Sequence, residues 1–102
     1  MKIEYISSSQ LKNDLLKGIG RYIDLNKYKI FFFGSRVKGD NLSKSDIDLG
    51  IIGPRKIPAE TKLLIQEKIE HIPTLYKIDF VDFNNVSKKF KKEASKYIEY
   101  IN

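Results

Sequence analysis

The sequence predicts an α+β fold, an α/β sandwich in which helices back a small mixed β-sheet. Three apolar segments of strand length and three segments with helical periodicity support this prediction, and they follow the order α-β-β-α-β-α. A chain of 102 residues has room for one modest hydrophobic core, so we expect a single domain over residues 1–102.

The first predicted helix lies within residues 7–26. Ser7 and Gln10 have the spacing of a capping box, which marks a helix start. Apolar side chains then recur at helical intervals along one face, at Leu11, Leu15, Ile19, Tyr22 and Ile23.

Two apolar runs follow the first helix. The run KIFFFGS, in which Gly34 ends the apolar part, is typical of a fully buried central strand. Residues 36–45 are polar and predict a loop or a short helical turn. The run DIDLGII predicts a second strand, and the segment GPRKIP stops it.

The second half of the chain predicts a helix, a strand and a final helix. Pro58 suits the first turn of the second helix, whose apolar positions include Leu64, Ile65, Ile69 and Ile72 and which Pro73 closes. The run YKIDFVDF predicts the third strand. The final segment, residues 84–101, predicts an amphipathic helix with one apolar face, formed by Val86, Phe90, Ala94, Tyr97, Ile98 and Ile101.

Composition limits the possible functions. The chain has no cysteine, which excludes disulfides, thiolate zinc sites and a cysteine nucleophile and fits a reducing cytoplasm. Its start, MKIEYISSSQ, lacks the apolar region of a signal peptide, and no run approaches transmembrane length, so we expect a cytoplasmic protein without a membrane anchor. The net charge of +6 attracts polyanions, but the one dense lysine group, SKKFKKEASK, fits a solvated helix face.

Three carboxylates are the candidate metal ligands. Strand alternation places Asp46 and Asp48 on one face of the second strand, while the residues between them feed the core. Asp79 also lies between core-forming residues, and it meets the other two carboxylates if its strand is a neighbour. Such a cluster offers the oxygen ligands that Mg²⁺ prefers and can hold two ions about 3.5–4 Å apart for in-line displacement at phosphorus.

Asp82 is an alternative third carboxylate, because it too lies between apolar residues. Asp79 and Asp82 are an odd number of positions apart, so they face opposite sides of an unbroken strand and only one can join the site. We favour Asp79, which is more central in the strand.

The polar loop supplies candidate phosphate contacts. Gly34 and Ser35 follow a buried strand and can present backbone N–H groups and a hydroxyl to a phosphate. Arg36 and Lys38 offer positive charge to the rest of a polyphosphate.

These residues resemble the polymerase-beta-type nucleotidyltransferase superfamily. Gly34-Ser35, ten further residues and Asp46-Ile47-Asp48 match its Gly-Ser-x10-Asp-x-Asp pattern, and Ile78-Asp79-Phe80 matches its later hydrophobic-Asp-hydrophobic element. The phrases GSRVKGD, SDIDLG and KIDFVDF look most like the minimal nucleotidyltransferases, or MNT proteins. The resemblance extends from about residue 8 to the end of the sequence.

The resemblance implies a polymerase-beta-like fold and a two-metal transfer of a nucleoside monophosphate, AMP from ATP, with release of pyrophosphate. Asp46, Asp48 and Asp79 would hold two Mg²⁺ ions, Asp79 would help activate the acceptor hydroxyl, and Gly34, Ser35, Arg36 and Lys38 would bind the triphosphate. MNT proteins are commonly the antitoxins of HEPN/MNT toxin–antitoxin pairs. The expected partner is therefore a HEPN-domain toxin whose tyrosine is adenylylated, within a homo- or hetero-oligomer.

Three other functions compete with this hypothesis. The protein could bind nucleotide without catalysis and neutralise its partner by occlusion, or it could nucleotidylate a small molecule such as an antibiotic. Enzymes of the latter kind usually carry an additional helical domain, and we expect only one domain here. Direct nucleic-acid binding has only the net charge to support it.

Overall fold

Four strands form one mixed sheet, and three α-helices flank it within the residues that the computed structural model describes, 7–34, 46–74 and 76–102. The elements are α1 (Ser8–Ile19), β1 (Lys29–Phe33), β2 (Ile47–Ile52), α2 (Ala59–Glu70), β3 (Ile78–Asp82), a 3-10 turn (Phe83–Asn85), α3 (Lys88–Ala94) and β4 (Ile98–Tyr100). This architecture confirms the predicted α+β class.

The sheet has the order β3-β2-β1-β4, so β1 and β2 are central. β1 pairs antiparallel with both β2 and β4, whereas β2 and β3 are parallel. Parallel neighbours need a crossover connection, and α2 supplies it between β2 and β3. The central position of β1 explains its continuous apolar sequence, because both of its faces are covered.

Local sequence determines where α1 and α2 begin. The Ser7 hydroxyl accepts a hydrogen bond of 3.1 Å from the Gln10 backbone N–H, as the capping-box spacing predicts. Pro58 immediately precedes the first residue of α2. α1 ends at Ile19, so the last two apolar residues of its predicted face lie beyond the helix.

The apolar side chains form two clusters, one on each face of the sheet. The larger cluster lies between the sheet and the helices α1 and α2, and it contains Leu11, Leu15, Phe32, Leu49, Ile65 and Phe80 among its buried members. The smaller cluster is aromatic, and it consists of Phe31, Phe33 and Phe83 with partly buried neighbours that include Val81 and Ile98. Strand alternation separates the two sets, since neighbours in sequence point to opposite faces.

The prediction of one long final helix is wrong. α3 ends at Ala94, and the chain then forms β4, in which Ile98 pairs with Phe33 and Tyr100 with Phe31. The physical reason is tertiary, because β4 gives the outer edge of β1 its hydrogen-bonding partner and places Ile98 against the aromatic cluster. The predicted order α-β-β-α-β-α therefore gains a fourth strand at its end.

In the described part of the chain, every helix is too short or too polar to cross a lipid bilayer.

Candidate active site

Asp48 and Asp79 are directly paired in the parallel ladder between β2 and β3. They share the sheet face that carries the aromatic cluster, because Asp48 also pairs with Phe33 across β1 and β2. Both carboxylates are half-buried. The sequence thus places two acids of neighbouring strands next to each other on the face opposite α1 and α2.

Asp46 precedes the first residue of β2 and is exposed. It is close enough to influence Asp48 electrostatically. Burial raises the pKa of the Asp48 carboxyl, and the negative charges of Asp79 and then Asp46 raise it further. The charges of both neighbouring acids therefore disfavour the ionised form of Asp48.

Gly34 directly follows β1 and lies beside the carboxylate of Asp48. Its φ of +86° lies in the left-handed region that residues with a side chain rarely adopt. A Cβ atom at this position would collide with Oδ2 of Asp48. Glycine is therefore required twice here, by the backbone conformation and by the close approach of the carboxylate.

The other predicted phosphate contacts, Ser35, Arg36 and Lys38, lie outside the described residues. Their roles stay predictions. The described chain resumes at Asp46, on the opposite side of the same connection between β1 and β2.

An open cleft of about 640 Å³ contains Asp48 and Asp79. It extends along β3, the strand at one edge of the sheet, with α2 on one side and α3 on the other. The lining residues are Phe33, Asp48, Gln66, Glu70, Lys77, Ile78, Asp79, Phe80, Val81 and Phe90. A large ligand can reach the two carboxylates from the edge of the sheet.

Lys77 is the basic residue of the cleft wall. Its Nζ atom lies 3.5 Å from Oδ1 of Asp79, and the two side chains are 73% and 40% exposed. An exposed pair of this kind contributes about 0–1 kcal/mol to stability. Its position beside Asp79 equips Lys77 to contact an anionic ligand instead.

Asp82 has a structural role. It is 5% exposed, and its Oδ2 atom accepts a hydrogen bond of 2.7 Å from the Ile57 backbone N–H. Its Oδ1 atom accepts a second bond, of 2.9 Å, from the Asn84 backbone N–H. Asp82 thereby fixes the segment before α2 and caps the 3-10 turn. Of the two alternative third carboxylates, Asp79 is the one that lines the cleft.

The donor set fits Mg²⁺. This ion is usually bound by one or two carboxylates together with phosphate oxygens and water, and Asp48 and Asp79 supply two adjacent carboxylates. A cation would also relieve the repulsion that raises the pKa of Asp48. Within the described ranges, no three His, Cys, Asp or Glu side chains form a group that could hold a metal ion, so Asp46 as a third ligand stays a prediction.

Two cleft residues were missed by the sequence analysis. Phe90 was assigned to the buried face of the final helix, yet it is 40% exposed and lines the cleft. Lys77 immediately precedes β3, and the sequence did not distinguish it from the many other lysines, which are scattered through the chain. The one available signal was position, since Lys77 lies two residues before Asp79 and shares its side of the strand.

Comparisons with solved structures identify the fold. The structure of a toxin–antitoxin with AMP-PNP matches with a TM-score of 0.72 at 20% sequence identity, over 89% of this chain and 72% of that chain. A complex of a tri-AMPylated Shewanella oneidensis HEPN toxin with an MNT antitoxin matches with a TM-score of 0.71 at 16% identity, over 94% and 72% of the two chains. A mutant of the toxin–antitoxin MntA-HpeT has a TM-score of 0.71 at 17% identity, over 89% and 72%.

Sequence comparison gives the family. A search of curated proteins found no match. Residues 21–101, however, match the family described as "Polymerase beta, Nucleotidyltransferase", and this stretch contains both central strands, Asp48 and Asp79. The resemblance stated from the motif is thereby confirmed. The chain belongs to the polymerase-beta nucleotidyltransferase family.

Proposed function

We propose that this protein is a metal-dependent nucleotidyltransferase that transfers AMP from ATP to a hydroxyl of a partner protein, as the antitoxin of a HEPN/MNT pair. The observation that carries the proposal is the direct pairing of Asp48 and Asp79 in an open cleft, with the pKa of Asp48 raised by burial and by its acidic neighbours. Two adjacent carboxylates repel each other in the ligand-free protein, and a bound cation would offset this repulsion.

In the proposed reaction, the oxygen of the acceptor hydroxyl attacks the α-phosphorus of ATP. The bond from this phosphorus to the oxygen that bridges to the β-phosphate breaks, and pyrophosphate leaves. Asp46, Asp48 and Asp79 would hold Mg²⁺, and Asp79 would accept the proton of the hydroxyl. Bound Mg²⁺ would neutralise the carboxylates and the triphosphate and make the α-phosphorus easier to attack.

The acceptor is proposed to be a macromolecule because the cleft opens at the edge of the sheet. β3 is one of the two outer strands of the described sheet, and its residues from Ile78 to Val81 line the cleft. The solved toxin–antitoxin structures of the same fold include a HEPN toxin that carries AMP groups, which supports a HEPN-domain acceptor for this chain.

The test uses purified protein, Mg²⁺, ATP labelled at the α-phosphate, and the protein encoded beside it, which we expect to be a HEPN-domain protein. We expect label on the partner and a loss of at least a hundredfold in rate for Asp48→Asn, because removing one preorganised electrostatic group from an active site, such as an oxyanion-hole donor, costs about 10²–10³ in rate. Glu67→Gln is the matched control, since Glu67 is exposed and lies outside the cleft. Equal labelling by wild type and Asp48→Asn would contradict the proposal.

Neutralisation by occlusion is the second candidate. It is favoured by the solved structure of the same fold in which an MNT antitoxin is in complex with a HEPN toxin. In this case the protein would bind nucleotide and block its partner without transferring AMP. Full neutralisation of the partner by Asp48→Asn, with no label transfer by wild type, would select this alternative.

A further inference from the structure

Phe90 is a partly exposed aromatic residue in the wall of the carboxylate cleft. Its exposed fraction is 40%, and it lines the cleft together with Asp48 and Asp79. Phenylalanine is among the residues most often buried in protein interiors. The exposed surface of this ring is therefore available to a ligand that occupies the cleft.

Neighbouring rings hold Phe90 in place. Its ring centroid lies 6.2 Å from that of Phe33 and 5.8 Å from that of Phe83, with interplanar angles of 84° and 64°. These are the edge-to-face geometries that aromatic pairs prefer. Phe90 is thus a positioned ring and has less conformational freedom to lose on binding than an isolated surface side chain.

Phe90 is also close to the acids. Phe33 pairs directly with Asp48, so their Cβ atoms are separated by about 5 Å. One phenyl ring therefore separates Phe90 from the carboxylate that is proposed to hold the metal. A nucleoside triphosphate carries its phosphates at one end and a planar base at the other, so a single molecule can contact both positions.

Four lysines surround Phe90 in sequence. Lys88, Lys89, Lys91 and Lys92 are all exposed, and among the described residues none of them forms an ion pair with a carboxylate. An aromatic ring interleaved with cations is the combination that proteins use to stack bases while attracting phosphates. The exposed, lysine-rich helix α3 therefore brings positive charge to the element that carries Phe90.

We propose that Phe90 is the stacking platform for the nucleobase of the bound nucleotide. This inference rests on the proposed function, because it places the triphosphate at Asp48 and Asp79. Stacking of an aromatic acceptor side chain on Phe90 is the competing occupant, and it would change the kinetics toward the partner protein without changing nucleotide affinity.

The experiment compares two ligands by isothermal titration calorimetry in the presence of Mg²⁺: ATP, and inorganic tripolyphosphate, which has the phosphates but no base. The proteins are wild type, Phe90→Ala, Phe90→Tyr, Asp48→Asn and Tyr100→Ala. Tyr100 is the matched control, because it is an aromatic residue on the same sheet face, 58% exposed and outside the cleft. Circular dichroism and thermal unfolding verify that each variant is folded.

We expect Phe90→Ala to weaken ATP binding roughly tenfold, within the range of about 5- to 150-fold for loss of a base–aromatic stack. Its affinity for tripolyphosphate should stay within about twofold of wild type, since that ligand has no base. Phe90→Tyr and Tyr100→Ala should bind ATP as wild type does. This pattern would establish the platform.

Two results for Phe90→Ala would overturn the inference and leave the proposed function intact. One is an unchanged affinity for ATP, and the other is an equal loss of affinity for ATP and tripolyphosphate. An unchanged ATP affinity together with a raised KM for the partner protein would show that Phe90 contacts the acceptor side chain and not the nucleobase. The proposed function fails in a different way, through a wild type that binds neither ligand or an Asp48→Asn variant that binds both normally, and either result also removes the inference.

Discussion

Gly34 and Asp48 approach so closely that no side-chain carbon fits between them. Gly34 has a φ of +86°, and a Cβ atom there would collide with Oδ2 of Asp48. The Asp48 carboxylate therefore occupies the space that a side chain at position 34 would need. This contact links Gly34, a predicted phosphate contact, to the carboxylate proposed to hold Mg²⁺.

We predict that Gly34→Ala destabilises the protein and impairs nucleotide binding together. The left-handed conformation alone costs an alanine about 1–2 kcal/mol, which lowers Tm by roughly 4–16 °C in a domain of this size. The added methyl group must also displace the Asp48 carboxylate, so Mg²⁺-dependent ATP affinity should fall. Differential scanning calorimetry and titration calorimetry measure the two effects.

Gly18→Ala is the control for the Gly34 variant. Gly18 lies inside α1, and its added Cβ would make an ordinary contact of 3.6 Å with Cβ of Lys68. Alanine is favoured over glycine in a helix by about 0.5–1 kcal/mol, so Tm should rise. In an Asp48→Ala background the cost of Gly34→Ala should shrink to the backbone strain; an unchanged cost would mean that the close contact is unimportant.

We predict that Asp48→Asn stabilises the ligand-free protein at neutral pH. Burial, with the charges of Asp79 and Asp46, raises the pKa of Asp48 above its ordinary value of 3.8. The folded state therefore binds a proton more tightly than the unfolded state, and the ionised carboxylate costs stability above the raised pKa. Because the side chain is only half-buried, solvent screening limits the gain to about 0.5 kcal/mol, or roughly 2–4 °C in Tm.

The pH dependence of this gain has a definite sign. As the pH falls through the raised pKa and below 3.8, Asp48 becomes protonated in both states, so the difference between wild type and Asp48→Asn should vanish. Added Mg²⁺ at pH 7 should stabilise wild type more than the variant. Thermal unfolding from pH 3 to pH 8 checks both, and a variant less stable than wild type at pH 7 would contradict the electrostatic account.

The pairing of Asp48 with Asp79 was predictable because it depends on local periodicity and on one topological assumption. Period-two alternation places Asp48 on the face opposite its buried neighbours Ile47 and Leu49, whatever the rest of the fold does. The remaining requirement was that β2 and β3 are neighbours. A helix of suitable length between two strands favours a parallel crossover, and α2 meets this condition.

The end of the chain was not predictable in this way. Ile98 and Ile101 fit a helical face, but Ile98 and Tyr100 also fit one side of a strand, so periodicity alone leaves the choice open. The side of β1 that faces away from β2 determines the strand conformation, because Ile98 and Tyr100 pair there with Phe33 and Phe31. Phe90 lies in the short helix that ends at Ala94, and its ring lines the cleft.

We predict that Lys77→Gln separates ligand binding from stability. The pair between Lys77 and Asp79 is exposed, so its loss should change the free energy of unfolding by less than about 0.5 kcal/mol. A cation in the cleft wall should instead attract the triphosphate, so we expect ATP and tripolyphosphate to bind about threefold more weakly at low salt. Lys27→Gln, an exposed lysine outside the cleft, is the control. A large loss of stability would show that Lys77 is structural.

Asp79 and Asp82 should respond in opposite ways to the same substitution. In Asp82→Asn, one carboxylate oxygen is replaced by an amide NH₂ group that faces a backbone N–H, either of Ile57 or of Asn84. An unsatisfied buried donor costs about 1–3 kcal/mol, so Tm should fall by roughly 4–24 °C, while the remaining folded protein should still transfer AMP. Asp79→Asn should leave Tm nearly unchanged and abolish transfer, because Asp79 is half-buried and lines the cleft. Label transfer and calorimetry on the two variants decide the matter, and a stable, inactive Asp82→Asn would exchange the roles assigned to these two acids.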